Sequence, residues 1–267
     1  MLEILINTEE MSNDNPVVRT GLALASRHGA YATGLNIVEV FPSSMAMPDV
    51  MAVLETEEYE ARQCAAWWSD QCREHGVQGG WEVIRGVYVP ALARRSCMAD
   101  ITVSRLPNRE AGYPPGMDYM TRVLLAAASP MLLVPPRWDG SLRQERILVA
   151  WNSTQESMRA LRAALPLLRE AETVCLVDGA SEGLPGITPP PLPVHDWLTR
   201  QGVKLHSTLP FPSTTKAGEA LLKQAAAMRA DLLVMGAWGH SRVGELILGG
   251  TTRHVLQHAE LPVLLAH

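Results

Sequence analysis

The sequence predicts two α/β domains in tandem, each an open parallel sheet with helices on both faces. Three observations lead to this prediction. Apolar runs of strand length alternate with segments whose apolar residues recur at helical spacing, which is typical of a parallel sheet covered on both sides. The same succession of segments occurs twice along the chain. Finally, 267 residues are enough for two domains of ordinary size.

The internal duplication locates the two domains. Four segments of the first half recur in the same order in the second half, namely 3–7 with 146–151, 33–38 with 173–178, 99–103 with 230–234, and 129–134 with 261–266. Between the copies, residues 135–141 are polar and rich in turn formers, which indicates a linker. We therefore expect domains of residues 1–138 and 139–267.

The second copy shows the clearer succession of elements. It begins with a predicted strand over 146–151 and a helix over 154–170, with Ser153 or Thr154 as the N-cap. The elements expected after these are strand 173–177, helix 193–201, strand 203–208, helix 214–229, strand 231–235, helix 245–258 and strand 262–266. The last of these helices follows a glycine-rich loop.

The first copy has a similar pattern with a longer second helix near 51–75. That helix carries Trp67 and Trp68, and Trp81 follows it. Amphipathic helices commonly bury such residues, so we interpret the three tryptophans as packing residues rather than as a stacking platform for bases.

Composition excludes several classes of partner. The chain has 23 basic and 28 acidic residues, a net charge of −5, and no long run of like charge, so a nucleic-acid partner is not expected. No apolar run reaches the ~18 residues of a membrane span, and the first residues lack the features of a signal peptide. The four cysteines have no metal-ligand spacing. These features predict a cytoplasmic protein.

The loop after the strand at 231–235 is the strongest candidate for a binding site, because ligands of open parallel sheets lie beyond the carboxyl ends of the strands. The loop and the start of the next helix contain Gly236, Gly239, His240, Gly249, Gly250, Thr251 and Thr252. Glycines allow a close approach to an oxyanion, successive backbone N–H groups can surround it, and a histidine can donate to it. Glycines also serve ordinary turns, so the residues alone leave both interpretations open.

The spacing of Gly236, Gly239 and Gly249 resembles the universal stress protein signature Gly-x2-Gly-x9-Gly-Ser/Thr. The likeness continues through 252–265 and includes the opening strand and helix of the second copy, so it covers essentially all of 146–267. Over the first copy it rests on the strand pattern. The resemblance implies a tandem universal stress protein with two five-stranded sheets of order 3-2-1-4-5, an adenine nucleotide alpha hydrolase-like fold. It further implies an intramolecular pseudo-dimer paired through strands 130–134 and 262–266, with homodimerisation left open.

The resemblance also implies ATP or a related adenine nucleotide, with Mg²⁺ as an accompanying ion, at the second copy. The positions carried over are Gly236, Gly239, Gly249 and Thr252 at the phosphates and Val177 beside the adenine. Two positions depart from the motif. Gly250 stands where the motif has serine or threonine, with Thr251 as the candidate replacement, and Asn152 stands where nucleotide binders usually carry aspartate. Asparagine both donates and accepts hydrogen bonds, unlike an aspartate carboxylate.

The first copy lacks the nucleotide motif. It has no G-x2-G after its fourth strand, where Pro107 removes a backbone donor instead. Its first-strand loop contains Glu9 and Glu10, which would repel phosphate. We therefore expect at most one nucleotide per chain.

The resulting functional prediction is a stress-response protein in which the nucleotide is a regulatory ligand. No nucleophile motif occurs, Ser153 is interpreted as a helix cap, and at most slow ATP hydrolysis is expected. His254 and His258 have the spacing of two metal ligands on a helix, but such pairs arise easily by chance and no metal site is predicted. The alternative function is a protein-interaction module with a vestigial pocket.

Overall fold

The computed structural model describes residues 1–41, 49–106, 117–179, 192–210, 216–237 and 249–267, the side chains of 117–120 excepted. The chain forms two compact units, of which the first contains Met1–Arg105 and Asp118–Ser141 and the second contains Leu142–His267.

None of the helices in these ranges is both long enough and apolar enough to cross a membrane.

The first unit is a five-stranded parallel sheet with its helices packed on the strands. Its elements are β1 (Glu3–Asn7), α1 (Pro16–His28), β2 (Tyr31–Glu39), α2 (Val50–Gln63), α3 (Ala65–Glu74), β3 (Gln78–Gly86), α4 (Tyr88–Ser96), β4 (Ile101–Arg105), α5 (Met117–Ala126) and β5 (Met131–Val134). The strand order is β3-β2-β1-β4-β5, and every neighbouring pair is parallel.

The second unit repeats this plan. Its elements are β6 (Arg146–Trp151), α6 (Gln155–Glu170), β7 (Thr173–Asp178), α7 (Val194–Arg200), β8 (Leu205–Pro210), α8 (Ala217–Ala227), β9 (Leu232–Gly236), α9 (Gly250–His258) and β10 (Val263–Ala266). Its order is β8-β7-β6-β9-β10, again with all neighbours parallel. Both units thus have the order 3-2-1-4-5, so the predicted fold is confirmed.

The central strands are apolar along their whole length because both of their faces are covered. In β6, Ile147, Leu148 and Val149 are each at most 1% exposed. Helix α6 buries one stripe against the sheet, including Leu161 and Leu168, and leaves its opposite side in solvent. This arrangement places the carboxyl ends of β6 and β9 side by side at the point where the strand order reverses, which is where ligands of such sheets bind.

The single helix predicted near 51–75 is wrong, because the structure has α2 and α3 joined at Cys64. The break allows each helix to bury its own short apolar stripe against β3. Trp68 on α3 is 1% exposed, and its ring lies 5.7 Å from that of Trp81 on β3. Trp67 completes the cluster, in agreement with the packing role expected for the three tryptophans. Helical periodicity alone does not reveal such a change of axis.

Candidate functional site

Helix α6 begins directly behind the carboxyl end of β6 and is capped by Thr154. The backbone N–H of Ser157 donates to the Thr154 hydroxyl, and the N–H of Thr154 donates to the Ser157 hydroxyl, both at 3.2 Å, forming a reciprocal capping box. The interpretation of Ser153 as the cap is wrong. Ser153 has a φ of +58°, and this left-handed turn puts the next residue in the extended conformation that an N-cap requires.

Asn152 is tied into this capping network. The Thr154 hydroxyl donates to Oδ1 of Asn152 at 2.8 Å, so the amide oxygen already accepts one hydrogen bond. The remaining capacity of the side chain includes the two donors of its amide nitrogen. Asn152 therefore offers a ligand mainly donors, whereas an aspartate at this position would offer only acceptors.

Gly236 ends β9 and lies directly against the first turn of α6. A Cβ atom at this position would be 2.5 Å from the backbone nitrogen of Ser157 and 2.7 Å from the carbonyl carbon of Glu156. Both contacts are with backbone, which cannot move aside cheaply. Gly236 was predicted from its place in a phosphate loop, and the structure gives it a packing role as well.

The other end of the glycine loop forms the N-terminus of α9. Gly249 is the N-cap and has no side chain with which to cap the helix, and a Cβ at Gly249 or Gly250 would have no atom of the described residues within 4 Å. The first intrahelical bond runs from Arg253 N to Gly249 O, so the amides of residues 250–252 have no acceptor inside the helix. Such amides, together with the helix dipole, favour an anion.

The remaining predicted positions differ in what a ligand can reach. The side chain of Thr252 is 4% exposed, whereas Thr251 is partly exposed. Val177 is 3% exposed and lies between Ala150 and Leu209 in the sheet, so a ligand can contact only its backbone. Gly239 and His240 lie outside the described residues.

Sequence reasoning missed Asp178, which is the last residue of β7. Its Cα partner in the sheet is Trp151, and partners in neighbouring parallel strands present their side chains on the same face. Gly236 belongs to the same row, because the preceding residues Ala150 and Met235 are partners. A carboxylate at the end of a strand could have indicated this position, but the predicted strand ended one residue earlier, at Val177.

The two histidines of α9 stack on each other instead of converging on an ion. Their ring centroids are 4.1 Å apart with an interplanar angle of 18°. Nδ1 of His258 lies 2.8 Å from the carbonyl oxygen of His254, and because a carbonyl only accepts, this nitrogen donates. Within the described ranges, no three histidine, cysteine, aspartate or glutamate residues are grouped as metal ligands.

In the first unit, a polar network fills the space at the strand ends. The amide nitrogen of Asn7, which is 2% exposed, donates to the hydroxyls of Tyr88 and Ser104, the latter at 3.0 Å. Tyr88 in turn donates to the Glu9 carboxylate at 2.9 Å. Beside this network is a cavity of about 200 Å³, whose lining residues include Glu9, Glu10, Asp14 and Arg105.

The start of α1, which also lines this cavity, offers no comparable anion site. Asn15 caps the helix by accepting from the Val17 N–H at 2.9 Å, and Pro16 at the first position has no N–H. The described residues that line the cavity include three carboxylates and one guanidinium, so the formal charge of these side chains is negative. The capped start of α1 and the negative charge of the cavity lining both disfavour phosphate binding in the first unit.

Asp231 connects β9 to β6 at the opposite, amino-terminal edge of the second sheet. Its carboxylate accepts from the backbone N–H of Glu145 at 2.9 Å and from that of Arg146 at 3.2 Å. Burial raises the pKa of this carboxylate, and the two backbone donors oppose the rise. Asp231 therefore contributes to the pH dependence of stability rather than to ligand binding.

Comparison with known proteins identifies relatives of this chain. A sequence model of the Universal stress protein family matches residues 214–267. A universal stress protein of Synechocystis is 27% identical over 147 residues, covering 54% of this chain and 49% of that protein. One of Thermus aquaticus is 44% identical over 50 residues, covering 19% of this chain and 36% of that protein. This chain thus spans half or less of these two curated relatives.

Among solved structures, a universal stress protein of Archaeoglobus fulgidus has the same fold. It matches with a TM-score of 0.73 and 16% identity, over 99% of this chain and 97% of that one. Together with the sequence matches, this likeness confirms the resemblance that the glycine loop indicated.

Proposed function

Because this chain resembles universal stress proteins in sequence and in fold, we propose that its second unit binds an adenine nucleotide, ATP in particular, as a regulatory ligand. The nucleotide lies at the carboxyl ends of β6, β7 and β9, with one molecule per chain. Mg²⁺ accompanies it through its phosphates, and the protein acts in the stress response of the cytoplasm.

The observation that supports this proposal most directly is the start of α9. Gly249 and Gly250 have no side chains, and no atom of the described residues lies within 4 Å of a Cβ built at either position. The three amides that follow have no intrahelical acceptor. The same loop begins at Gly236, which lies against the start of α6. An anion of the size of a phosphate fits the charge and donor pattern of such a helix end.

The contrast with the first unit supports a single site. There, α1 begins with a capped and proline-blocked turn, and the neighbouring cavity is lined by Glu9, Glu10 and Asp14. These carboxylates repel phosphate, while the uncapped start of α9 attracts it. The proposed stoichiometry is therefore one nucleotide rather than two.

The described crevice favours binding over catalysis. The hydroxyls of Thr154 and Ser157 hydrogen-bond with each other and with the helix backbone, so they are used in capping. Among the described residues of this unit, Oγ1 of Thr208 lies 3.4 Å from Nε2 of His195, which is longer than the contact through which a base activates a nucleophile. We therefore propose that the nucleotide acts as a ligand, with hydrolysis slow at most.

The first test measures co-purified nucleotide. The protein is purified without added nucleotide and denatured, and the supernatant is separated by anion exchange with detection at 260 nm. We expect close to one adenine nucleotide per chain. Protein that is empty and shows no thermal shift with ATP and Mg²⁺ would contradict the proposal and favour the alternative, an interaction module with a vestigial pocket.

A charge variant at the helix start separates binding from folding. In Gly249→Asp, the new carboxylate can cap α9 and interact favourably with its dipole, so stability is expected to be unchanged or slightly raised. The same carboxylate occupies the anion site, so nucleotide binding should be lost. The matched control is Gly86→Asp in the first unit, where a Cβ has only an ordinary contact of 3.8 Å. This control should bind ATP like the wild-type protein.

A further inference from the structure

Resting on the proposed nucleotide site, we infer that Asp178 determines specificity for a ribonucleotide. Its carboxylate accepts hydrogen bonds from the ribose hydroxyl groups. This assignment adds a residue outside the glycine loop and places an acidic group at the end of β7, whereas the position after β6 holds Asn152 instead of an aspartate.

The sheet register places Asp178 at a suitable distance from the phosphate end. Asp178, Trp151 and Gly236 lie in one row across β7, β6 and β9. Neighbouring strands are about 4.8 Å apart, so Asp178 is about 10 Å from Gly236 across the carboxyl edge. A nucleotide lying along this edge with its phosphates at α9 extends its sugar towards β7.

Asp178 is also available for a ligand. It is only partly buried, and its carboxylate has no hydrogen bond or ion pair with any other described residue, whereas Asp231 at the other edge accepts from two backbone amides. Directly after the neighbouring strand β6, the oxygen of Asn152 already accepts from the Thr154 hydroxyl. Asp178 is therefore the side chain of this row that can supply free acceptors.

The chemistry of the two strand ends is complementary to a nucleoside. In doubly wound nucleotide-binding sheets, an acidic residue of this kind binds the ribose hydroxyls because a carboxylate only accepts and a hydroxyl can donate. A carboxylate at β7 also repels phosphate, which directs the phosphates to the amides of α9. Asp178 thus sets both the sugar preference and the orientation of the bound nucleotide.

The test compares ATP with 2′,3′-dideoxy-ATP, which lacks both hydroxyls. Binding of each to the full-length protein is measured by calorimetry for the wild type, for Asp178→Asn and for Glu172→Gln. Glu172 precedes the same strand at the opposite edge and is exposed, so its variant is a control for the loss of one charge.

We expect the wild-type protein to bind ATP about tenfold more tightly than the dideoxy analogue, the size typical of a hydrogen bond to a charged group. Asp178→Asn should lose most of this preference by weakening ATP binding, with the analogue little affected. Glu172→Gln should retain the wild-type ratio.

The outcomes distinguish this inference from the proposed function. If the wild type binds both nucleotides equally, or if Asp178→Asn keeps the preference for ATP, the inference is wrong while the nucleotide site stands. If the wild type binds neither, the proposed function fails and the inference with it. A wild-type ratio close to one overturns the inference whether or not Asp178→Asn folds, and a thermal melt shows whether that variant is folded before its ratio is interpreted.

Discussion

Gly236 and Ser157 approach so closely that a Cβ atom at position 236 would lie 2.5 Å from the backbone nitrogen of Ser157. Because Gly236 has no side chain, the first turn of α6 can pack directly against the end of β9. A residue expected only from a phosphate-binding motif is also required for packing, and substitutions in this loop need separate measurements of stability and binding.

We predict that Gly236→Ala lowers the free energy of unfolding by about 1–3 kcal/mol, the range for overpacking. The added methyl group would meet the backbone of Ser157 and Glu156, which can yield only if α6 shifts. Urea denaturation measures the effect. The control is Gly86→Ala in the first unit, where the methyl group makes only an ordinary contact of 3.8 Å with Ala91, and little change is expected. Equal losses of stability in Gly236→Ala and in the control variant would contradict the explanation by overpacking.

The capping box predicts a second effect on stability. Thr154→Ala removes the acceptor for the Ser157 N–H and the donor to Asn152, so it should cost about 1 kcal/mol. Thr56 provides a matched control, because its exposed hydroxyl bonds only the Ala52 carbonyl within α2. Thermal melts should show Thr56→Ala within about 0.5 kcal/mol of the wild type. An equally large loss of stability in Thr56→Ala would show that the Thr154 cap contributes no more than an exposed threonine within a helix.

Restoring the hydroxyl of the signature should strengthen nucleotide binding. A Cβ at Gly250 has no atom of the described part of the chain within 4 Å, so Gly250→Ser can add a donor to phosphate without displacing any of those residues. The expected gain is about tenfold in ATP affinity, the lower end for one hydrogen bond to a charged group. Calorimetry measures this gain, and Gly86→Ser is the control with no expected change. Unchanged affinity in Gly250→Ser would mean that the phosphates do not reach this turn.

The pH dependence of stability should report on Asp231. Because burial raises the pKa of its carboxylate above the ordinary 3.8, the folded protein holds this proton more tightly than the unfolded chain. The resulting stabilisation is present below pH 3.8 and is lost as pH rises through the folded-state pKa.

Denaturation at a series of pH values, compared with Asp231→Asn, isolates this effect. The wild-type advantage over the variant should shrink as pH rises across that window. The exposed Asp196→Asn should show no such trend relative to the wild type. An advantage that grows with pH would mean that the backbone donors outweigh burial and lower the pKa instead.

Much of the fold could be predicted because it depends on short-range patterns. Strand β6 was predicted at its observed bounds, and α6 to within one residue, since a two-sided apolar run and a helical stripe are visible in the sequence. The break at Cys64 could not be predicted, because both helices continue the same periodicity. Serine and threonine are both suitable caps, so residue type does not distinguish Ser153 from Thr154. The left-handed backbone conformation of Ser153 makes Thr154 the cap, and the sequence does not reveal that conformation.

The candidate site was predictable only in part. Gly249, Gly250 and Asn152 were identified through motif spacing, and the structure describes the helix end and the capping network around them. Asp178 was missed because its importance depends on the register between β6 and β7 rather than on its neighbours in sequence.

The sequence by itself determined the class of fold and the position of the glycine loop, because apolar periodicity and residue spacing are local properties of the chain. Only the tertiary structure decided that Gly236 packs against Ser157, that Asn152 is engaged by Thr154, and that Asp178 shares a row with Trp151. These relationships join residues from different strands and helices. Their distances are fixed by sheet register and helix packing, which no stretch of sequence contains.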